Sequence, residues 1–121
     1  DCGTVINPQL VDEQIRGGIV QGLGGALFEH CIYSEDGQLL NGTMADYLVP
    51  MAAEIPDIDC AHVVSMTNSS ELGAKGAGEA GTAGAPAAVM NALNDALSPF
   101  GVKLATMPFT PQTVLKALGA Q

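Results

Sequence analysis

The chain has 121 residues, with 4 basic against 13 acidic side chains and a formal charge of −9. That balance repels a phosphate backbone and leaves no counterion-release term, which excludes nucleic-acid binding as a function class. One domain, residues 1–121, is expected at this length, and with 15 Gly, three Phe, two Tyr and no Trp its interior must be filled by small residues and closely packed backbone.

In chain order, Asp1-Cys2-Gly3-Thr4 shows no signal-peptide pattern and reads as the interior of a longer polypeptide. Cys2, Cys31 and Cys60 are odd in number and form no CxxC pair, which reads as reduced thiols in a cytoplasmic protein. Asn7-Pro8 then supplies a side-chain cap and a proline suited to the first helical turn. Ile15, Ile19, Leu23 and Ala26 recur at helical spacing to about Glu29, while Asp12, Glu13 and Arg16 take other faces, so a helix is predicted. Its oddity is Gly17, Gly18, Gly22, Gly24 and Gly25, each costing about 1 kcal/mol relative to alanine in a helix interior. Close approach of another backbone or of a rigid ligand would offset that cost. Gln14 and Gln21 lie two turns apart on one face, either as solvated amides or as paired donors and acceptors for a polar group. The uncharged run from Gly17 to Phe28 is too short to span a bilayer, so no membrane partner is expected.

Ile32-Tyr33, a turn at Glu35-Asp36-Gly37 and Gln38-Leu39-Leu40 predict a hairpin. Asp46 to Pro50 reads as a short extended piece, and Pro50 and Pro56 frame an irregular or briefly helical segment. Cys60 to Met66 reads as a buried strand. Thr67 to Gly78 lacks periodicity and has the length of a functional loop. A second helix is predicted over 83–97, with Pro86 in its first turn and Val89, Met90, Leu93, Ala96 and Leu97 as the buried stripe. Val102-Lys103-Leu104 reads as a short strand, and Thr110-Pro111 caps a last helix from Gln112 to Leu118, stopped by Gly119.

The segment Gly73-Ala74-Lys75-Gly76-Ala77-Gly78-Glu79 sets a lysine and a glutamate into glycine-rich backbone at an expected helix start, where free N–H groups favour a polar ligand. Residues 76–81 satisfy G-x-G-x-x-G, but the nearest strand ends near Met66 and the next acidic residue after the motif, Asp95, lies inside the predicted helix. A phosphate-binding P-loop needs its lysine after the glycines, and Lys75 precedes them. Glu79 reads either as helix-terminus electrostatics, with Lys75 four residues earlier also stabilising its charge, or as a general base. His30 and His62 belong to no Cys/His cluster, so no protein-ligated metal is expected.

Four blocks occur in one order: Asp1-Cys2-Gly3 with Ile6-Asn7-Pro8, Gln14 to Gly24, Asp46-Tyr47 with Pro50, and Gly73 to Glu79. Together they resemble the C-terminal part of the molybdenum-cofactor-binding large subunit of the xanthine dehydrogenase, aldehyde oxidase and carbon monoxide dehydrogenase family. The resemblance covers nearly the whole chain. It implies a molybdopterin cofactor, as the monophosphate or a dinucleotide such as the cytosine form, held without a metal-ligating side chain. Gln14 matches the glutamine that contacts the pterin, and Lys75, Gly76, Ala77 and Gly78 match backbone lining the cofactor. Glu79 matches the catalytic base, which in such enzymes takes the proton of a molybdenum-bound hydroxyl during hydroxylation of an aldehyde, purine or N-heterocycle.

The resemblance also implies partners: the remainder of the molybdenum subunit, and iron-sulfur and FAD domains or subunits that carry electrons away. Because family chains are several times longer, the isolated chain is expected to be inactive. The alternative is a non-catalytic assembly module that packs its glycine-rich helix against a partner chain. The expected fold is α+β, two longer helices packed on a short-stranded mixed sheet within a larger cofactor-binding domain. Exposed strand edges and apolar surface would then favour self-association.

Overall fold

Asn7 begins the first helix as the sequence predicts: its Oδ1 accepts a hydrogen bond from the Leu10 amide at 3.1 Å, and Pro8 follows as the first helical residue. Such a cap contributes about 1 kcal/mol. The computed structural model describes residues 1–119, and in it α1 runs Pro8–Leu27. A 3₁₀ turn at Ala52–Glu54 interrupts the long irregular middle of the chain. α2 runs Ala85–Leu97 and passes into a 3₁₀ turn at Ser98–Phe100, ended by Gly101 with φ +68°. α3, Pro111–Ala117, is capped by Thr110, whose Oγ1 accepts from the Thr113 amide.

Gly18 and Gly22 of α1 are explained by close approach of this chain's own residues 81–86. A Cβ on Gly18 would stand 3.0 Å from the Thr82 amide nitrogen, and one on Gly22 would stand 2.7 Å from the Ala85 Cβ. The reciprocal contact is tighter, since a Cβ on Gly81 would lie 2.2 Å from the Ile15 carbonyl oxygen. The segment entering α2 therefore lies directly on the α1 backbone. Gly17 and Gly25, on other sides of α1, have nothing within 4 Å.

The core sits where the far ends of α1 and α2 meet the tail. Ala26, Leu97, Leu104 and Phe109 are buried, with Val89, Met90, Leu93, Val102 and Val114 packed around them. Of the stripe predicted on α2, Ala96 is the exception and is exposed. The Phe109 amide donates to the Ala26 carbonyl at 2.7 Å, which pins the tail to α1.

The expected sheet is not seen among the described residues, which contain only two isolated bridges, Gly3 with Ala74 and Tyr33 with Leu39. The hairpin predicted around Glu35 to Gly37 is thus a turn closed by a single bridge pair. Residues 102–104, predicted as a strand, are held by a side chain instead: Asn94 accepts from the Leu104 amide at 2.7 Å and donates to its carbonyl at 2.9 Å. Residues 60–66, predicted as a buried strand, run without regular structure and expose both Val63 (87%) and Met66 (72%). A strand is stabilised by its ladder, and among the described residues no second strand lies beside this segment.

Surface area carries the same message. The chain exposes 8545 Å², whereas a self-contained monomer of 12.3 kDa exposes about 6,100 Å². Ile6, Met44, Met51, Leu72 and Phe100 are among the large apolar side chains left more than half exposed.

Candidate functional site

Three of the four blocks singled out from the sequence meet in space around residues 73–82, while the Asp46-Tyr47 and Pro50 block lies at the far end of α1, beside Glu29 and Gly24. The N-terminal residues lie against the Gly73–Lys75 strip: the Thr4 amide donates to the Gly73 carbonyl at 3.2 Å, and the Lys75 amide donates to the Cys2 carbonyl at 2.7 Å. Glycine is required on both sides of this contact. Gly3 and Gly73 have φ of +62° and +68°, and a Cβ on Gly3 would stand 2.1 Å from the Gly73 oxygen.

α1 holds the other end of the loop. Gln14 Nε2 donates to the Gly78 carbonyl at 2.9 Å, and one turn later the Thr82 hydroxyl donates to the Gly18 carbonyl at 3.1 Å. Two clamps from one rigid helix thus bracket Glu79. Gln14 and the 75–79 block, 64 residues apart in sequence, form one surface.

The placement of Glu79 corrects the expectation of a helix start. α2 begins at Ala85, six residues further on, and Glu79 lies in a run of turns over 78–84. Its carbonyl accepts from the amides of Thr82 and Ala83, both at 3.2 Å, so the helix-like spiral tightens only gradually. Gly76, Gly78 and Gly81 explain the delay, because glycine backbone is costly to order in a helix. The dipole of α2 therefore acts on Glu79 from a distance and contributes little. The side chain is exposed, and among the described residues nothing hydrogen-bonds its carboxylate.

The pairing of Lys75 with Glu79 is also not what forms. Lys75 Nζ lies 2.7 Å from Asp1 Oδ2 and 2.8 Å from the Ser65 hydroxyl, so its charge is neutralised by a residue 74 positions earlier. Asp1 in turn accepts from the Gly3 amide at 2.8 Å, the Ser65 amide at 3.1 Å and the Ser65 hydroxyl. Asp12 and His62 are a second pair that sequence inspection missed, with His62 Nε2 2.7 Å from Asp12 Oδ1. Together with the Arg16 guanidinium donating to the Ile58 carbonyl at 3.0 Å, it ties the extended segment 58–62 to α1. The only sequence signal for either pair was an acidic residue beside a glycine-rich or helical block.

What remains open is backbone. Among the described residues no group accepts from the amides of Gly76, Ala77, Gly78 or Glu79, and a Cβ at Gly76 or Gly78 would meet nothing within 4 Å. A flat polar group could approach this strip and take those donors, so the strip fits a pterin with its oxo and amide functions. A separate groove of about 790 Å³, walled by Leu27, Phe28, Leu48, Phe109, Val114 and Leu115, is apolar and offers no comparable donors.

Comparison with known proteins shows the family. Residues 1–56 match the molybdopterin cofactor-binding domain family. The chain is 46% identical to the large subunit of nicotine 6-hydroxylase from Paenarthrobacter nicotinovorans over 97% of its length, covering 14% of that protein. It is 36% identical to the carbon monoxide dehydrogenase large chain of Hydrogenophaga pseudoflava, over 98% of its length and 15% of that chain. Among solved structures, quinoline 2-oxidoreductase from Pseudomonas putida 86 superimposes with a TM-score of 0.94 at 44% identity, over 98% of this chain and 15% of that one. The chain thus spans about one-seventh of the length of these relatives, and it belongs to the molybdenum-cofactor-binding large-subunit family of the xanthine dehydrogenase, aldehyde oxidase and carbon monoxide dehydrogenase enzymes.

Proposed function

We propose that this chain forms one wall of the active site of a molybdenum hydroxylase, binding molybdopterin through the Gly76–Glu79 backbone and supplying Glu79 as the general base. The observation that carries this reading is the Gln14 to Gly78 hydrogen bond, which fixes the turn bearing an exposed carboxylate with no partner among the described residues. Gln14 Nε2 is occupied by that bond, which leaves its Oε1 to accept from the pterin. When bound, the cofactor supplies the two-electron oxidant.

Hydroxylation replaces a C–H bond with C–OH, takes the oxygen from water and releases two electrons and two protons. Glu79 takes a proton from the water-derived nucleophile as it attacks an electron-poor carbon, a service worth about 10²- to 10⁴-fold in rate. The substrate class is an aldehyde, a purine or an N-heterocycle, and the cofactor is the monophosphate or the cytosine dinucleotide form. Electrons leave through iron-sulfur and FAD partners in a cytoplasmic complex.

The surplus of about 2,400 Å² over a self-contained monomer is the area that obligate interfaces bury. We assign it to the remainder of the large subunit, with residues 1–121 folding as one unit of a larger domain. The isolated chain accordingly holds little molybdenum, turns nothing over and self-associates through its apolar surface. Metal analysis and gel filtration of the isolated chain test this, and a molybdenum-loaded monomer with oxidase activity would overturn it. A non-catalytic assembly role draws support from Gly17 and Gly25, which lie open on α1. Substituting Glu79 with Gln in the assembled enzyme separates the two, since only the catalytic reading requires turnover to fall.

A further inference from the structure

Asp1 is the most heavily used acceptor near the candidate site. Its carboxylate receives hydrogen bonds from the amides of Gly3 and Ser65, from the Ser65 hydroxyl and from Lys75 Nζ. Its side chain and that of Lys75 are about one-third exposed, so this is a partly desolvated pair carrying several charge-assisted bonds rather than a free surface contact. Three separate segments converge on it: the N-terminal strip, the extended segment at Ser65 and the glycine-rich loop. Lys75 is only four residues ahead of Glu79, and the intervening Gly76, Ala77 and Gly78 contribute no side chain long enough to brace the loop.

We propose that Asp1 is a positioning residue for Glu79. The carboxylate anchors Lys75 and Ser65, and this fixes the front of the loop whose rear is fixed by Gln14 on Gly78. Both anchors are needed because the glycine-rich backbone between them has no internal constraint. Lys75 is consequently a structural cation that Asp1 neutralises. This inference rests on the reading of Glu79 as the base, and it adds a requirement that reading does not contain.

The test uses the complete enzyme carrying this segment, with Asp1→Asn, Lys75→Met, the double variant and Lys75→Arg. Hydrogen exchange at the Gly73 and Lys75 amides, which donate to the Ser70 and Cys2 carbonyls, and kcat per bound molybdenum are the two readouts. Asp1→Asn and Lys75→Met should each speed exchange by about tenfold, as expected for loss of a charged hydrogen bond. The double variant should be no worse than the more severe single, since the partners act as one unit. kcat per molybdenum should fall by about tenfold through misplacement of the base, and Lys75→Arg, which keeps the cation, should recover most of both. Unchanged exchange in Asp1→Asn overturns the proposal, as does faster exchange with unchanged kcat per molybdenum, which would mean a role in stability alone. Glu79→Gln in the same background keeps the two ideas apart: retained turnover there sinks the base assignment, while exchange still decides whether Asp1 holds the loop.

Discussion

Gln14 Nε2 donates to the Gly78 carbonyl oxygen at 2.9 Å, joining the first helix to the turn that carries Glu79 across 64 residues of sequence. A neutral hydrogen bond of this kind contributes about 0.5–1.5 kcal/mol. Gln14→Ala in the assembled enzyme should therefore weaken cofactor retention by about two- to tenfold. Gln14→Glu should be worse, because a carboxylate would face a carbonyl. Molybdenum content after dialysis measures both, and retention equal to the unsubstituted enzyme in both variants would remove Gln14 from the site.

Gly81 and Gly17 make opposite predictions from the same helix. A methyl on Gly81 would stand 2.2 Å from the Ile15 carbonyl oxygen, which is backbone and cannot rotate away. Gly81→Ala should cost about 1–3 kcal/mol through overpacking. Gly17→Ala has nothing within 4 Å to meet and should gain up to about 1 kcal/mol of helix propensity in the isolated chain. Denaturant unfolding of the two variants reads the difference in sign.

Tyr47 gives a pH signature. Its hydroxyl donates to Glu29 Oε2 at 2.7 Å, and that bond, aided by desolvation and the carboxylate's charge, pushes the phenol up to about 12. A phenol raised above its unfolded value of about 10 adds stability that is full below that value and is lost as pH rises through the folded one. The loss should therefore fall between about 10 and 12. Two tyrosines and no tryptophan make the ultraviolet titration simple. In a Tyr33→Phe background the single remaining phenol should ionise at about 12, and Glu29→Gln should bring it down.

Phe109 is 2% exposed and anchors the tail between α1 and α2. Truncation to alanine should cost about 3–5 kcal/mol, visible as a lowered unfolding midpoint. A change under about 1 kcal/mol would fit a surface residue better than a core one.

How much of this was legible in the sequence depended on how local each cause was. α1 was readable because Asn7, Pro8 and the apolar spacing act within a few residues, and the demand for close backbone approach followed from Gly18 and Gly22. The strands were not readable, because an apolar run such as Cys60 to Met66 cannot reveal whether this chain supplies a second strand to pair with. The second helix was readable to within two residues of its start at Ala85, but Glu79 was set too near it because Gly76, Gly78 and Gly81 looked like cradle residues and their cost to helix nucleation went uncounted. Asp1 and His62 were illegible for the simplest reason: their partners Lys75 and Asp12 lie 74 and 50 residues away.

Substitution of Glu79, the proposed base, by glutamine in the assembled, cofactor-loaded enzyme is the decisive measurement. Glutamine keeps the shape and removes only the capacity to take a proton. Molybdenum content should be unchanged and turnover lowered by about 10²- to 10⁴-fold. Turnover per molybdenum equal to that of the unsubstituted enzyme would contradict that role for Glu79.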